Sequence, residues 1–500
     1  MINKIASQLF SHRISQIERF NDHAEEIQRN ELRYLLHKAQ DTVFGNTYNF
    51  KKLDSAEAFA DTVPVHKYEH IHSFTERMIL GEKNVLWPGR IRYFAQSSGT
   101  TDTKSKFIPI SEESFKTMHY RGGSDTVALY LNMFPDSKIF HGKNLTIGGG
   151  RSVRNEHGSN IGFLSGMLVE KINPLVNLIR TPSPAIARIS NFDEKMALMI
   201  PQIIKKNIVS ISGIPSWYQI LFSRIIEQTG VDDLSTIWPN LEVFFHGGVS
   251  FEPYKQLFKK MISSPNMHYM EVYNASEGFF SMQSDLSDPG MLLMLDYRTY
   301  YEFIPLDEED NENPTVLPLW KVEIGVSYAM IISNNSGLWR YSIGDVVTFT
   351  SKDPYKIIIS GRTRHFLNFC GEELMLGNAE KGIGKVSELF GVNVLNFSAT
   401  VVYVTESSKA RHQWMIEFDK APDDLKRFQE TLDLTLCDLN SDYEAKRDHS
   451  IALEMLEIIV ARKGLFSDWM NKHQKMGGQQ KIPRLSQKRE FMDELIEMNQ

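Results

Sequence analysis

Ser97-Ser98-Gly99-Thr100-Thr101 directly follows an apolar, aromatic stretch at residues 91–95 and precedes two cations, Lys104 and Lys106. Backbone amides and hydroxyls can surround a polyphosphate, glycine allows its close approach, and lysine supplies positive charge. A cluster of serine, threonine and glycine is equally typical of an ordinary turn. Taken alone, this run leaves a phosphate-binding loop and a simple turn as alternatives.

Two later segments combine polar residues with glycine directly after an apolar run. Tyr273-Asn274-Ala275-Ser276-Glu277-Gly278 follows a predicted strand at residues 267–272. Leu338-Trp339-Arg340-Tyr341-Ser342-Ile343-Gly344-Asp345-Val346-Val347 follows another predicted strand, at residues 328–333. Because ligand crevices of α/β sheets form at the carboxyl ends of strands, these placements favour one shared binding site.

In order and spacing, the three segments resemble the signatures of the acyl-adenylate-forming superfamily of acyl-CoA synthetases, nonribosomal adenylation domains and luciferases. The closer resemblance is to the acyl acid amido synthetases of the auxin-responsive promoter family. It extends from Val63-Pro64-Val65 to a late segment at residues 478–484, and so covers nearly the whole chain. The resemblance implies ATP- and Mg²⁺-dependent adenylation of a small carboxylic acid, followed by acyl transfer to the amine of an amino acid.

Bulk properties restrict the class of protein. A chain of 500 residues with 42% hydrophobic and 23% charged residues predicts a globular protein of two to four structural units. A net charge of −7 argues against nucleic acid as a partner. Two distant cysteines, Cys370 and Cys437, fit a reducing compartment. With no signal-peptide pattern and no uncharged run of membrane-spanning length, we expect a cytoplasmic protein without a membrane partner, and we predict no protein partner.

The pattern of elements predicts an α/β fold. The first ~90 residues have helical spacing, and strands then alternate with helices, as in a mostly parallel sheet. With the resemblance, we expect a large N-terminal domain at residues 1–361, built of mixed, mostly parallel sheets covered by helices. A hinge at residues 362–364 would lead to a small, mobile α+β domain at residues 365–500.

The resemblance assigns the phosphate-binding role to the first segment. Ser97, Ser98, Gly99, Thr100 and Thr101 would hold the β- and γ-phosphates of ATP, and Lys106 corresponds to the cation of the motif. The wider superfamily commonly has glycine where this chain has Thr103. Since threonine disfavours a positive φ, that difference bears on the path of the loop.

The second segment would bind the base, the reacting groups and the metal. The ring of Tyr273 would stack on adenine. Ser276 would donate a hydrogen bond to an oxygen of the α-phosphate or of the substrate carboxylate. Glu277 would bind Mg²⁺, an ion that is typically held by phosphates and one or two carboxylates.

Four further groups complete the expected site. Asp345 would accept hydrogen bonds from the ribose hydroxyls, and Arg362 resembles a ribose contact at the interdomain hinge. Gly247 and Gly248 resemble the wall of the adenine pocket, where backbone lies flat against the base. A segment lining the acyl pocket is expected at Ile214, Pro215 and Ser216.

Lys481 is the candidate for catalysis of the adenylation step. The segment Gly478-Gln479-Gln480-Lys481-Ile482-Pro483-Arg484 resembles the element that brings one lysine of the small domain to the α-phosphate and carboxylate oxygens. In this family the small domain pivots after adenylation and exposes the intermediate to its acceptor.

Other functional classes are less consistent with the residues. A P-loop at residues 377–382 fails because Ile383 stands where lysine is required. Two alternatives stay open: a coenzyme A ligase with the same adenylate intermediate, and a catalytically inactive nucleotide-binding regulator. Neither the acid, the acceptor, nor the oligomeric state can be read from the sequence.

Overall fold

The computed structural model describes most of the chain. The described residues are 2–98, 105–147, 154–172, 174–189, 192–249, 251, 254–309, 311–362, 366–403, 410–447, 453–472 and 483–500. By its internal contacts the chain divides into two compact units. The N-terminal unit comprises residues 1–96 and 107–363, and the C-terminal unit comprises residues 97–106 and 364–500.

The helices of the N-terminal unit include five in its first 80 residues, as the helical spacing there predicted. In chain order they are α1 (Ile2–Glu18), α2 (Phe20–Ala39), α3 (Val43–Thr47), α4 (Ala56–Thr62), α5 (Tyr68–Ile79), α6 (Glu112–Ser114), α7 (Arg121–Met133), α8 (Leu164–Lys171), α9 (Pro184–Ala187), α10 (Phe192–Ile203), α11 (Pro215–Thr229) and α12 (Lys255–Met261). A π-helical turn, Phe115–Tyr120, joins α6 to α7.

Sixteen strands lie between residues 93 and 362 in the described part of the chain. They are β1 (Tyr93–Ser98), β2 (Ser105–Ile110), β3 (Lys143–Thr146), β4 (Arg154–Glu156), β5 (Ser159–Gly162), β6 (Arg180–Thr181), β7 (Ile208–Gly213), β8 (Val243–His246), β9 (His268–Ala275), β10 (Gly278–Gln283), β11 (Met291–Leu293), β12 (Thr299–Pro305), β13 (Leu317–Pro318), β14 (Ser327–Asn334), β15 (Tyr341–Lys352) and β16 (Tyr355–Arg362).

A twelve-stranded sheet has the order β13-β12-β14-β15-β16-β11-β10-β9-β8-β7-β3-β6. The five strands from β9 to β6 pair in parallel, and the pairs from β9 to β13 are antiparallel. The prediction of an α/β domain with mixed sheets is confirmed, but parallel pairing is confined to one half. Helices α9 to α12 provide the long crossovers that parallel strands need, whereas short turns join most of the antiparallel strands.

A smaller sheet with the order β2-β1-β5-β4 carries the first sequence segment. In it, β1 and β5 are parallel and β5 and β4 are antiparallel. The principal core of the N-terminal unit is built from apolar residues of α7, β8 to β12 and β14 to β16. A second core gathers the aromatic residues of the first helices around Trp339, whose side chain is fully buried.

The C-terminal unit is smaller and has an α+β composition, as predicted. Its helices are α13 (Leu376–Phe390), α14 (Leu425–Leu439), α15 (Ser441–Arg447), α16 (Leu465–Lys472) and α17 (Glu490–Met498). Its strands are β17 (Phe366–Leu367), β18 (Leu374–Met375), β19 (Val394–Val402), β20 (Arg411–Phe418), β21 (Glu457–Ala461) and β22 (Leu485–Ser486). Strands β21-β20-β19-β22 form one sheet, and β17 pairs with β18. Among the described helices, none is long and apolar enough to cross a bilayer.

Candidate active site

Two of the predicted nucleotide-binding residues are in direct contact. Tyr273, near the end of β9, and Asp345, on β15, are both about 5% exposed. The hydroxyl of Tyr273 donates a hydrogen bond of 2.5 Å to Oδ2 of Asp345. The ring of Tyr273 also packs against Phe280, with centroids 5.0 Å apart. Residues 72 positions apart in the chain therefore meet, and the hydroxyl orients the carboxylate that is predicted to bind ribose.

Arg362, the third predicted nucleotide-binding residue, lies opposite Asp345. In the antiparallel ladder of β15 and β16, Asp345 pairs with Arg362. Gly344, directly before Asp345, has a φ of 87°, a left-handed conformation that glycine adopts without a Cβ clash. The glycine of this sequence segment thus sets the backbone path into Asp345. The side chain of Arg362 is outside the described atoms, so its ribose contact stays a prediction.

The glycines after β8 lie where the predicted base-binding and acyl segments come together. A Cβ placed on Gly247 would stand 2.3 Å from the carbonyl oxygen of Val272, which precedes Tyr273. A Cβ on Gly248 would stand 3.4 Å from Cγ1 of Ile214, at the predicted acyl segment. These two glycines therefore lie between the strand of Tyr273 and the loop of Ile214, at the carboxyl ends of parallel strands.

The close approach at Gly247 leads to a first prediction. We expect Gly247→Ala to lower the free energy of unfolding by about 1–3 kcal/mol, because the new methyl group meets a backbone carbonyl that cannot turn aside. Gly123→Ala is a matched control, since a Cβ there has nothing within 4 Å and lies in helix α7. The control should raise stability by about 0.5–1 kcal/mol. Urea denaturation of both variants checks the sign of each effect, and equal stabilities would contradict the packing argument.

Ser276 and Glu277 form the two-residue turn between β9 and β10. Gly278 pairs with Ala275, so both residues stand at the tip of the hairpin, and both are half-buried. The carbonyl oxygen of Glu277 accepts a hydrogen bond of 2.9 Å from Nδ2 of Asn334. This bond fixes the backbone of the turn. The predicted strand at residues 267–272 is in fact longer, since β9 extends to Ala275.

The fit of Mg²⁺ to Glu277 depends on the number of protein ligands. Among the described residues, no group of three or more histidine, cysteine, aspartate or glutamate side chains could hold a metal ion. A half-buried carboxylate on a fixed turn suits a cation that takes most of its oxygens from phosphates and water. The single carboxylate of Glu277 is therefore compatible with an Mg²⁺ ion that is bound mainly by the nucleotide.

The segment predicted to bind phosphate is described only at its two ends. Ser97 and Ser98 close β1, Lys106 lies in β2, and Ser97 and Lys106 are half-buried. Gly99, Thr100, Thr101 and the adenylation candidate Lys481 lie outside the described residues. Pro215 begins helix α11 and is buried, and the side chain of Ser216 is outside the described atoms. The roles of all these residues remain predictions.

Two residues that support the site were not singled out in the sequence as ligand-binding groups. Asn334, which holds the Glu277 turn, is fully buried at the end of β14. Arg340 has a φ of 42° and is 4% exposed, and its Nε donates to Glu302 at 2.9 Å. Arg340 stands in the third sequence segment, which indicated a site but not this ion pair. For Asn334 the signal in the sequence was a polar residue at the end of an apolar run, which is also common in turns.

Family models match most of the chain. They are the GH3 family N-terminal domain at residues 13–267, the GH3 family central domain at residues 292–362 and the GH3 family C-terminal domain at residues 377–490. The chain belongs to the GH3 family. This confirms the auxin-responsive promoter family that the three sequence segments led us to expect.

Individual GH3 relatives match along nearly the whole chain. Jasmonoyl–L-amino acid synthetase GH3.5 of Oryza sativa subsp. japonica is 22% identical over 94% of this chain and 94% of its own length. Indole-3-acetic acid-amido synthetase GH3.3 of Arabidopsis thaliana is 21% identical over 94% of this chain and 90% of its own length. These relatives are acid–amino acid ligases that act on different acids.

Solved structures share the fold. GH3.15 acyl acid amido synthetase has a TM-score of 0.61, at 19% identity over 97% of this chain and 95% of its own. A 2-hydroxyisobutyryl-CoA ligase in complex with 2-HIB-AMP and CoA has a TM-score of 0.60, at 13% identity over 96% of this chain and 93% of its own. The GH3 chain therefore has the fold of adenylate-forming ligases.

Proposed function

We propose that this protein is an acyl acid amido synthetase that uses ATP to join a small carboxylic acid to an amino acid. The observation that carries the proposal is the contact between Tyr273 and Asp345, since it unites the base-stacking and ribose-binding candidates in a chain of the GH3 family. The named activities of the GH3 relatives support the acceptor class. They also differ in the acid, so no particular acid follows from them.

The first half-reaction is an in-line attack of the substrate carboxylate on the α-phosphorus of ATP. The new bond joins a carboxylate oxygen to phosphorus, and pyrophosphate leaves with the electrons of the broken P–O bond. Because both reactants are anions, positioning and neutralisation of charge supply most of the catalysis. In this proposal Lys106 and Lys481 supply the positive charge, and Ser276 donates a hydrogen bond to an α-phosphate or carboxylate oxygen.

In the second half-reaction, the neutral amine of the amino acid attacks the carbonyl carbon of the acyl-adenylate. AMP leaves, the amide forms, and the amine gives up one proton. Mg²⁺, when bound at Glu277, would neutralise charge on the phosphates of ATP. The predicted hinge at residues 362–364 would let the C-terminal domain serve the two half-reactions in turn.

The hydroxyl of Tyr273 gives a prediction for nucleotide binding. We expect Tyr273→Phe to raise KM for ATP about 10-fold and to change kcat little, because it removes a charge-assisted bond that orients Asp345 and leaves the stacking ring. Tyr269→Phe is the matched control: it lies on the same strand, and its buried hydroxyl has no partner among the described residues. A KM for ATP that is unchanged in Tyr273→Phe would contradict an orienting role.

The proposed function is tested by pyrophosphate release from ATP across a panel of aromatic and aliphatic acids. Each acid is assayed with mixed amino acids and, separately, with coenzyme A. We expect turnover that depends on an amino acid and yields AMP and an amide. Turnover that depends on coenzyme A would instead assign a thioester ligase. ATP binding without turnover for any acid would favour a nucleotide-binding regulator.

A further inference from the structure

Arg180 is a half-buried cation without a carboxylate partner in the described part of the chain. It begins β6, the strand at one edge of the twelve-stranded sheet. Burial lowers the pKa of its guanidinium, and the groups that oppose this shift are two tyrosines, Tyr218 and Tyr120, rather than an acid. Withdrawing a guanidinium from water is unfavourable unless an anion or hydrogen-bond acceptors compensate.

Polar side chains continue from Arg180 across the next two strands. Asn144 on β3 is the register partner of Arg180, and its Nδ2 donates to the hydroxyls of Ser210 at 2.9 Å and Ser212 at 3.0 Å on β7. Thr146 donates to Oδ1 of Asn144 at 2.6 Å. Since register partners in neighbouring strands share a face, the five side chains lie on one face of the sheet. We call Arg180, Asn144, Thr146, Ser210 and Ser212 the polar strip.

The polar strip leads to the predicted acyl segment. Ser212 is followed directly by Gly213 and Ile214, and Ile214 lies beside Gly248 of the base-binding wall. Thr146 and Ser212 stand at the carboxyl ends of parallel strands, where α/β sheets bind ligands, and Asn144, Ser210 and Arg180 lie one register step deeper in the sheet. The strip therefore extends from the acyl segment to the edge of the sheet, away from the turn of Ser276 and Glu277.

The strand order decides which part of a substrate could reach Arg180. Strand β6 is two strands from β7 and four strands from β9, which corresponds to roughly 10 Å and 19 Å at the usual spacing of strands. The α-carboxylate of an acceptor amino acid lies next to its attacking amine, close to the reacting carbonyl. The far end of an extended acyl chain matches the position of Arg180 better.

We propose that the polar strip binds a second carboxylate on the substrate acid, at the end remote from the carboxylate that is activated. This inference rests on the proposed function and narrows it to dicarboxylic acids. Arginine is suited to the role because its planar guanidinium binds a carboxylate through two parallel hydrogen bonds. The hydroxyl oxygens of Ser210 and Ser212 accept from Nδ2 of Asn144, which leaves each hydroxyl its own proton to donate along the same face.

The test compares straight-chain monocarboxylic and dicarboxylic acids of equal length, from six to ten carbons, in pyrophosphate release with mixed amino acids as acceptors. We expect kcat/KM of the wild type to favour the dicarboxylic acid by about 10- to 100-fold at the best length. Arg180→Met should abolish this preference, and Arg180→Lys, which keeps a point charge, should keep part of it. Arg188→Met, a control at an exposed arginine, should behave as the wild type.

Several outcomes would overturn the inference. One is an equal loss of kcat/KM for both classes of acid in Arg180→Met, which would indicate a structural role. Another is an unchanged preference for the dicarboxylic acid. A third is normal adenylation with a raised KM for the amino acid, which would assign Arg180 to the carboxylate of the acceptor.

Calorimetric titration separates this inference from the proposed function. Decanedioate is titrated without ATP into the wild type and Arg180→Met, after thermal melting has shown that both are folded. We expect the variant to bind at least 10-fold more weakly. Binding that depends on Arg180 in a protein that releases no pyrophosphate would sink the proposed function and leave the subsite standing. Equal affinities, or binding by neither protein, would overturn the subsite.

Discussion

Lys481→Ala is expected to slow the adenylation half-reaction by about 100- to 1,000-fold and to leave acyl transfer from a supplied acyl-adenylate within a few-fold of the wild type. In adenylation a carboxylate attacks an anionic phosphate, and a cation placed between them stabilises the transition state by a few kcal/mol. In transfer a neutral amine attacks a carbonyl carbon, so the same cation contributes little. Pyrophosphate release measures the first step, and amide formation from synthetic acyl-adenylate measures the second.

A matched control for this experiment is Lys488→Ala. Lys488 is an exposed lysine of the C-terminal unit, seven positions further along the chain. Its removal changes the net charge in the same way and should leave both half-reactions unchanged. Equal losses in the two half-reactions of Lys481→Ala would refute the assignment of Lys481 to adenylation.

Arg340→Met is expected to lower the free energy of unfolding of the N-terminal unit by about 3–5 kcal/mol. Arg340 and Glu302 form an ion pair of 2.9 Å, with side chains 5% and 3% exposed. Arg340 also donates to the carbonyl oxygens of Ala60 and Val63. The substitution leaves Glu302 buried without its cation, and burial already raises the pKa of that carboxyl. It also breaks the link between the C-terminal end of α4 and the residue directly before β15.

The exposed pair of Lys51 and Asp41 provides the control for Arg340→Met. Its atoms are 2.7 Å apart, but its side chains are 56% and 72% exposed. Lys51→Met should therefore cost about 1 kcal/mol or less, since water screens and replaces the pair. Urea denaturation followed by tryptophan fluorescence measures both variants. A similar loss of unfolding free energy in the two variants would show that burial does not increase the contribution of the Arg340 pair to stability.

Much of the fold followed from local patterns. The helical spacing of the first ~90 residues predicted helices there, where α1 to α5 lie, and the alternation of strands with helices after them predicted an α/β fold. These elements could be predicted because each depends on the periodicity of its own residues. The antiparallel half of the large sheet could not, because an apolar run does not indicate which strand will pair with it or in which direction.

The candidate site, like the fold, could be predicted only in part from the sequence. The ordered segments around Ser97, Tyr273 and Asp345 indicated the GH3 family and the chemistry, because binding a nucleotide requires those residue types. Their contact geometry was not visible: the hydrogen bond from Tyr273 to Asp345 joins residues 72 positions apart. The ion pair of Arg340 with Glu302 spans 38 positions, and nothing in the local sequence of Arg340 names its partner.

The sequence by itself therefore determined the family, the helices and strands, and the kinds of chemical group available for adenylation. Only the tertiary structure decided which of those groups meet. It placed Gly247 against Val272, oriented Asp345 through Tyr273, and set Arg180 beside Asn144 with no acid as its partner among the described residues. The physical reason is that local structure depends on neighbours along the chain, whereas pairing and burial of charge depend on strand order and register, which are fixed when the whole sheet assembles.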